Sequence, residues 1–396
     1  MADWKRAIEK VAHRVETTLD EGRRKLGLMG SSEHRPRIEA YRTFGRPDRA
    51  YVRGRVLRSP PVQPSTEHDS PWLNLAAMVR RFESDEVPRA RVVVRFPGGE
   101  HEVAANDEGY FECWVEPRPH FSASALWHTL ELELAHPREG DQPVREQASV
   151  LVPPPGCALG VISDLDDTVI RTDVTSTLRM MKNVFLHNAR TRMPFPGVAA
   201  FYRALEKGTG KTAFNPIFYV SSSPWNLHDV LTDFLTVQKI PLGPLLLRDW
   251  GLTREGVVPG KNTEHKLDAI RRILGLFPDL HFVLIGDSGQ EDPEIYLQVV
   301  RENPDRVQAV YIRNVTPNPE RVGAIEALAK EMEAAGSALV LAEDTLEAAR
   351  HAAEQGWISP NALPEIGAVA RAEEEEEPSP EGTEQVNREL STEPRE

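Results

Sequence analysis

The chain has 396 residues, 40% of them hydrophobic, with 47 Lys plus Arg against 61 Asp plus Glu. That is long enough for one to three domains and apolar enough for sizeable cores, which excludes a wholly disordered or a fibrous chain. Residues 372–396 hold −8 of the net −14, leaving −6 on the other 371 residues, and neither part has the basic balance of a nucleic-acid binder.

Two cysteines, Cys113 and Cys157, are too few for a disulfide framework or a four-ligand zinc site, which fits a reducing compartment. No uninterrupted apolar run approaches the roughly 20 residues that span a bilayer, and residues 1–30 are too charged for a signal peptide. A cytoplasmic protein is expected. In residues 1–30, Trp4, Ile8, Val11, Val15, Leu19 and Leu26 recur at helical spacing among mixed charges. This amphipathic helix is expected to dock on the protein itself; a partner or a peripheral contact with a membrane surface is the alternative.

Residues 36–152 read as strands and turns. Segments 91–96 and 100–103 flank Pro97-Gly98-Gly99, a hairpin signal, and residues 106–109 turn into an apolar run at 110–115. Residues 129–134 alternate Thr-Leu-Glu-Leu-Glu-Leu, the period of a half-buried strand. A small, all-β, sandwich-like domain is expected, with no reactive cluster. Pro153, Pro154, Pro155 and Gly156 make residues 153–157 a stiff linker.

Over 158–358 the pattern becomes short apolar strands (159–163, 217–220, 245–247, 282–285, 309–312, 338–341) alternating with helical stretches (197–206, 226–238, 266–274, 295–302, 319–335, 345–354). Strands buried on both faces define a doubly wound, Rossmann-like α/β domain, which binds ligands beyond the carboxyl ends of its strands. Glu373 to Glu377 and the polar residues after them make 369–396 an expected disordered tail.

Three strand ends carry polar clusters. The first strand runs into Asp164-Leu165-Asp166-Asp167-Thr168, the second into Ser221-Ser222-Ser223, and the fourth into Gly286-Asp287, with Asp292 five residues on. Crowded carboxylates need a cation, and Asp oxygens with room for water suit Mg²⁺. Phosphate would then bridge the metal, the serine hydroxyls and a lysine, Lys266 at the start of a helix. Side chains two apart on a strand share a face, so Asp164 and Asp166 both point into the site while Leu165 packs away. One carboxylate can attack phosphorus, and the other can protonate the leaving oxygen and then activate water.

These motifs, in this order, resemble the haloacid dehalogenase superfamily of aspartate-nucleophile phosphatases. The stretches 161–169, 218–226 and 284–296, with Gly54-Arg55-Val56-Leu57 and Asp107 to Phe111 in the β domain, more narrowly resemble the actin-patch-protein family of phosphatidate phosphatases. The resemblance implies Asp164 as nucleophile and Asp166 as general acid and base. Thr168, Ser221 (with Ser222 as fallback) and Lys266 would hold the phosphate; Lys261 is the competing lysine. It implies Mg²⁺ on Asp164, the Asp166 backbone carbonyl and Asp287, with Asp292 beside them or as an alternate ligand. The activity implied is hydrolysis of phosphatidate to diacylglycerol and phosphate through an aspartyl-phosphate. The same chemistry on a soluble phosphomonoester or phosphoprotein, and a membrane-associated scaffold with an idle site, are the alternatives.

Between Thr168 and Pro196 there is room only for a small cap insert with one helix, 174–188, whose Leu178, Met180, Met181, Val184, Phe185 and Leu186 are candidates for acyl-chain contact or for core. Residues 208–212, Gly-Thr-Gly-Lys-Thr, mimic the end of a P-loop. The first glycine of that motif would fall at Leu205, and a helix precedes the segment, so no nucleotide is expected there.

Overall fold

In the computed structural model the described residues are 35–58, 86–122, 125–138, 142–157, 159–170, 194–210, 214–248, 261–315 and 318–375. The helices expected over 1–30 and 174–188, and the tail beyond 375, lie outside them. No helix among the described residues is long and apolar enough to cross a membrane.

The first unit contains β1 (Arg37–Ala40), β2 (Thr43–Arg46), β3 (Arg49–Leu57), β4 (Arg91–Phe96), β5 (Gly99–Ala104), β6 (Tyr110–Val115), β7 (Trp127–His136) and β8 (Arg145–Leu151). They pair in the order β1-β3-β2-β8-β7-β4-β5, with β6 on β3, antiparallel except where β2 meets β8. The alternation legible in β7 is realised: Leu130, Leu132 and Leu134 are buried, while Glu131 and Glu133 point outward to Arg95 and Arg145. Such exposed pairs contribute about 0–1 kcal/mol each, so burial of the leucines holds the strand. Val52, Val56, Val92, Val94, Phe111 and Val150 join them in one core, around which the sheet folds.

The second unit contains β9 (Gly160–Ser163), α1 (Val198–Lys207), β10 (Ile217–Pro224), α2 (His228–Val237), β11 (Leu245–Arg248), α3 (Lys261–Leu276), β12 (Phe282–Asp287), α4 (Asp292–Glu302), β13 (Val307–Arg313), α5 (Pro319–Ala334), β14 (Ala338–Ala342), α6 (Thr345–Glu354) and α7 (Leu363–Glu375). Its six strands are all parallel, in the order β11-β10-β9-β12-β13-β14. Successive residues point to opposite faces. Val161, Tyr219, Val283 and Tyr311 pack with α1, α2, α6 and α7, whereas Ile162, Phe218, Leu284 and Val310 pack with α3, α4 and α5. Both faces are therefore covered, which explains why these strands read as continuous apolar runs. From β9 the chain first builds toward β11, then returns to β12 on the other side. The strand order reverses between β9 and β12, so a crevice opens beyond their carboxyl ends.

Two expectations need correction. Helix α3 begins at Lys261, so Lys266 lies in its second turn and does not open it. The tail does not become irregular at residue 369: α7 continues to Glu375, packs on α1 and α6, and buries Ile366. The Gly197 amide before α1 donates to Glu373 Oε2 at 2.7 Å, so the first glutamates of the acidic run belong to the fold, and the α/β unit reaches past 358.

The two units share side chains. Tyr41 stacks on Trp225 with centroids 4.4 Å apart and lies 4.5 Å from His228. Phe44 meets Phe218 edge-on at 5.5 Å. The β2 region thus enters the apolar clusters on both sides of the parallel sheet.

Candidate active site

Beyond β9 the chain makes a tight turn in which the Val169 and Ile170 amides donate to Leu165 O at 3.0 and 2.9 Å, and the Asp167 amide donates to Ile170 O at 2.9 Å. Asp167 takes a positive φ of 56°, a conformation in which short polar residues are enriched. The turn buries Leu165 in the core and leaves Asp164 and Asp166 facing the crevice, 1% and 6% exposed.

Asp166 Oδ2 accepts hydrogen bonds from Ser221 Oγ at 2.8 Å and Ser223 Oγ at 3.0 Å. The Ser223 amide in turn donates to Ser221 Oγ at 2.9 Å. Ser221 and Ser223 share one face of β10, as period two requires; Ser222 between them is half-buried, and its hydroxyl has no partner among the described residues. Ser223 stands in the serine cluster expected at this strand end, without a separate role there, and alternation pairs it with Ser221. Ser221, expected on phosphate, spends its hydroxyl proton on Asp166.

Lys266 Nζ lies 2.9 Å from Asp164 Oδ1 and 2.5 Å from Asp292 Oδ1, with all three side chains buried. Thr168 Oγ1 donates to Asp164 Oδ2 at 3.3 Å. Asp292 begins α4, where a carboxylate also meets the favourable end of the helix dipole. It reaches the site because Gly286 stands behind it: a Cβ on Gly286 would come within 2.6 Å of Asp292 Oδ2. Asp287 ends β12 and accepts from the Gly289 and Gln290 amides at 2.7 and 2.9 Å, both on Oδ1. That loop is clamped from α5. Arg321 donates to Ser288 O at 2.8 Å and Gln290 O at 2.6 Å while pairing with Glu294 at 2.5 Å. Nothing in the sequence pattern around Arg321 marks this role.

Carboxylate oxygens of Asp164, Asp287 and Asp292 all lie within 4.8 Å of one another. Burial drives Asp164 well above the usual carboxylate range, with Asp292, Asp166 and Asp287 adding to the effect and Lys266 opposing it. Burial, then Asp292, push Asp287 to about 8. Burial also pulls on the Lys266 ammonium, but Asp164 and Asp292 outweigh it and hold that group above its ordinary value. One ammonium is too little charge for this cluster, and Asp287 Oδ2 is buried without a hydrogen-bond partner. An all-oxygen donor set short of positive charge fits a hard divalent cation. The Asp166 backbone carbonyl, expected on the metal, takes the Gln290 side-chain amide at 3.3 Å. His228 belongs to the contact between the two units, and a helix rather than a strand precedes the turn at 208–210, as expected.

This constellation of strand-end carboxylates, hydroxyls and a buried lysine lies inside a recognisable domain. Residues 159–314 match the family profile described as the catalytic domain of phosphatidate phosphatase APP1. The chain is 30% identical over 238 residues to phosphatidate phosphatase APP1 of Saccharomyces cerevisiae, a match that covers 58% of this chain and 38% of that protein. An uncharacterized protein of Schizosaccharomyces pombe is 26% identical over 232 residues, covering 58% of this chain and 36% of that protein. The matched part is thus less than two-thirds of either relative's length. Among solved structures, a carbohydrate acetylesterase from Xanthomonas citri aligns over 70% of this chain and 68% of its own at 13% identity, with a TM-score of 0.25, too slight a likeness to argue from.

Proposed function

We propose that this chain is a Mg²⁺-dependent phosphatase of the haloacid dehalogenase type, with a small cap insert between Thr168 and Pro196, that hydrolyses phosphatidate to diacylglycerol and phosphate. The observation that carries the reading is the buried set of Asp164, Lys266, Asp287 and Asp292 beside an Asp166 held by two serines. The likeness to the yeast phosphatidate phosphatase supports phosphatidate as the substrate.

Asp164, Asp287 and Asp292 would hold the cation. Mg²⁺ supplies the positive charge that lets an anionic carboxylate and an anionic phosphate meet. Asp164 attacks phosphorus, the bond from phosphorus to the diacylglycerol oxygen breaks, and Asp166 delivers a proton to that oxygen. Water then attacks the aspartyl-phosphate and gives its proton to Asp166, so phosphate leaves and both carboxyl groups return to their starting states. Lys266 stays charged throughout, as its two carboxylate neighbours favour, and offsets phosphate charge. Ser221 and Ser223 fix the rotamer of Asp166, while Thr168 orients Asp164. The chain works in the cytoplasm and meets its lipid peripherally.

The test is phosphate release from phosphatidate in vesicles and from a panel of soluble esters, with and without Mg²⁺, for the parent and Asp164→Asn. Release is expected from the lipid, only with Mg²⁺, and from the parent alone. Equal rates on soluble esters would overturn the lipid assignment, and undiminished release by Asp164→Asn would remove the nucleophile and leave an unassigned site.

A further inference from the structure

A cavity lies between the two units, and none of the clustered carboxylates Asp164, Asp287 and Asp292 lines it. It has a volume of about 230 Å³ and is bounded by β2, β3, the edge strand β11 and α3. Its walls carry three arginines, Arg42, Arg53 and Arg272. Glu112 serves two of them, lying 2.9 Å from Arg53 and 3.7 Å from Arg272. The other carboxylate on the wall, Asp268, pairs with Arg271 at 3.2 Å. Arg42 is half-buried and has neither a hydrogen bond nor an ion pair among the described residues, and burial pulls its guanidinium below the usual range.

A guanidinium on a cavity wall with no carboxylate partner among the described residues is satisfied by a group that brings acceptor oxygens and negative charge. The cavity is smaller than the roughly 300–1,000 Å³ of sites for drug-sized ligands, so it suits a compact headgroup rather than a whole lipid. Guanidinium forks match phosphate oxygens in pairs, and three cations against Glu112 and Asp268 leave net positive charge for an anion.

We infer that this cavity is a second anion site, which binds a phosphate group through Arg42 and Arg272. The site does not depend on the catalytic reading, since none of its residues contributes to the carboxylate cluster. Because its walls come from both units, an occupant also ties them together.

Inorganic phosphate titrated calorimetrically into the full chain, in chelator and at constant ionic strength, tests this without turnover. The parent is expected to bind, and Arg42→Ala to lose about tenfold or more in affinity, as removal of a charged hydrogen bond should. Arg42→Lys should recover part of the loss. Melting temperature without phosphate, and turnover of a soluble ester at saturation, should stay at the parent's values. If Arg42→Ala folds poorly, Arg272→Ala removes a second cavity cation and should weaken binding severalfold. Sedimentation with phosphatidylcholine vesicles, with and without phosphatidate, separates the two sources of the phosphate. Arg42-dependent capture by phosphatidate vesicles assigns a lipid headgroup, and an Arg42 effect on inorganic phosphate alone assigns a free anion. Equal phosphate affinity in the parent, Arg42→Ala and Arg272→Ala overturns the site, as does the absence of binding in the parent.

Discussion

Arg321 touches no carboxylate of the metal cluster, yet it bonds two carbonyls of the loop whose amides hold Asp287. Arg321→Ala should therefore raise the Mg²⁺ concentration for half-maximal phosphate release about tenfold, with the rate at saturating Mg²⁺ much less affected. Lysine should not rescue it, since a single ammonium cannot serve two carbonyls and Glu294 in one plane. Asp287 makes a second prediction. Its carboxyl is pushed to about 8 by burial, so below that pH a cation must displace a proton. Mg²⁺ affinity should climb as pH rises toward 8 and level off beyond it. Calorimetry in two buffers of different ionisation heat should show protons released at pH 7; no release would refute the argument. At this scale the site was unevenly legible. Asp164, Lys266 and Asp287 stand at strand ends or one helix turn from a motif, where pattern points to them. Ser223 is legible from period two, since it falls on the same face of β10 as Ser221. Arg321 was not legible, because a charged residue on a helix flank looks like any solvated one until the fold brings it over the loop.

Between β12 and α4 the decisive fact is space. Gly286 lets the first turn of α4 fold back so closely that Asp292 lies against the strand. Gly286→Ala should cost about 1–3 kcal/mol, as overpacking does, and should cut phosphate release far more than that stability loss explains, because it displaces Asp292 from Lys266. A melting curve and an activity assay on the same preparation separate the two effects. The six strands of the parallel sheet were legible because burial on both faces leaves an apolar run that few other structures allow. Their spatial order was not, since nothing local in β9 says that β12 rather than β11 lies beside it. Helix α7 was missed for the opposite reason. The acidic run at its end dominates its composition, while the features that fold it, Ile366 in the core and Glu373 on the Gly197 amide, are tertiary.

The β unit and the α/β unit are joined by aromatic side chains rather than by a few polar contacts. Phe44→Ala should cost about 3–5 kcal/mol and lower a single melting transition shared by both units. Two separate calorimetric transitions in the parent would contradict that coupling. The same contact is acid-sensitive. Burial, and then the charge of Arg42, hold the His228 imidazole at about 3, below its ordinary 6.5. The unfolded chain therefore binds the extra proton first as pH falls. Stability from this group is intact above 6.5 and falls by about 1.4 kcal/mol per pH unit between 6.5 and 3. His228→Phe should flatten that part of the stability profile.

The bond from Glu373 to the Gly197 amide carries a consequence in time. The segment that opens α1 emerges from the ribosome long before residue 373 is made. At roughly 5–20 residues per second, the 176 residues between them take about 10 to 35 seconds to synthesise. The β unit can fold early in synthesis, whereas the α/β unit waits for nearly the whole chain. During that wait the apolar flank of α1 that α7 later covers faces water, which makes the nascent chain a client for chaperones at that surface.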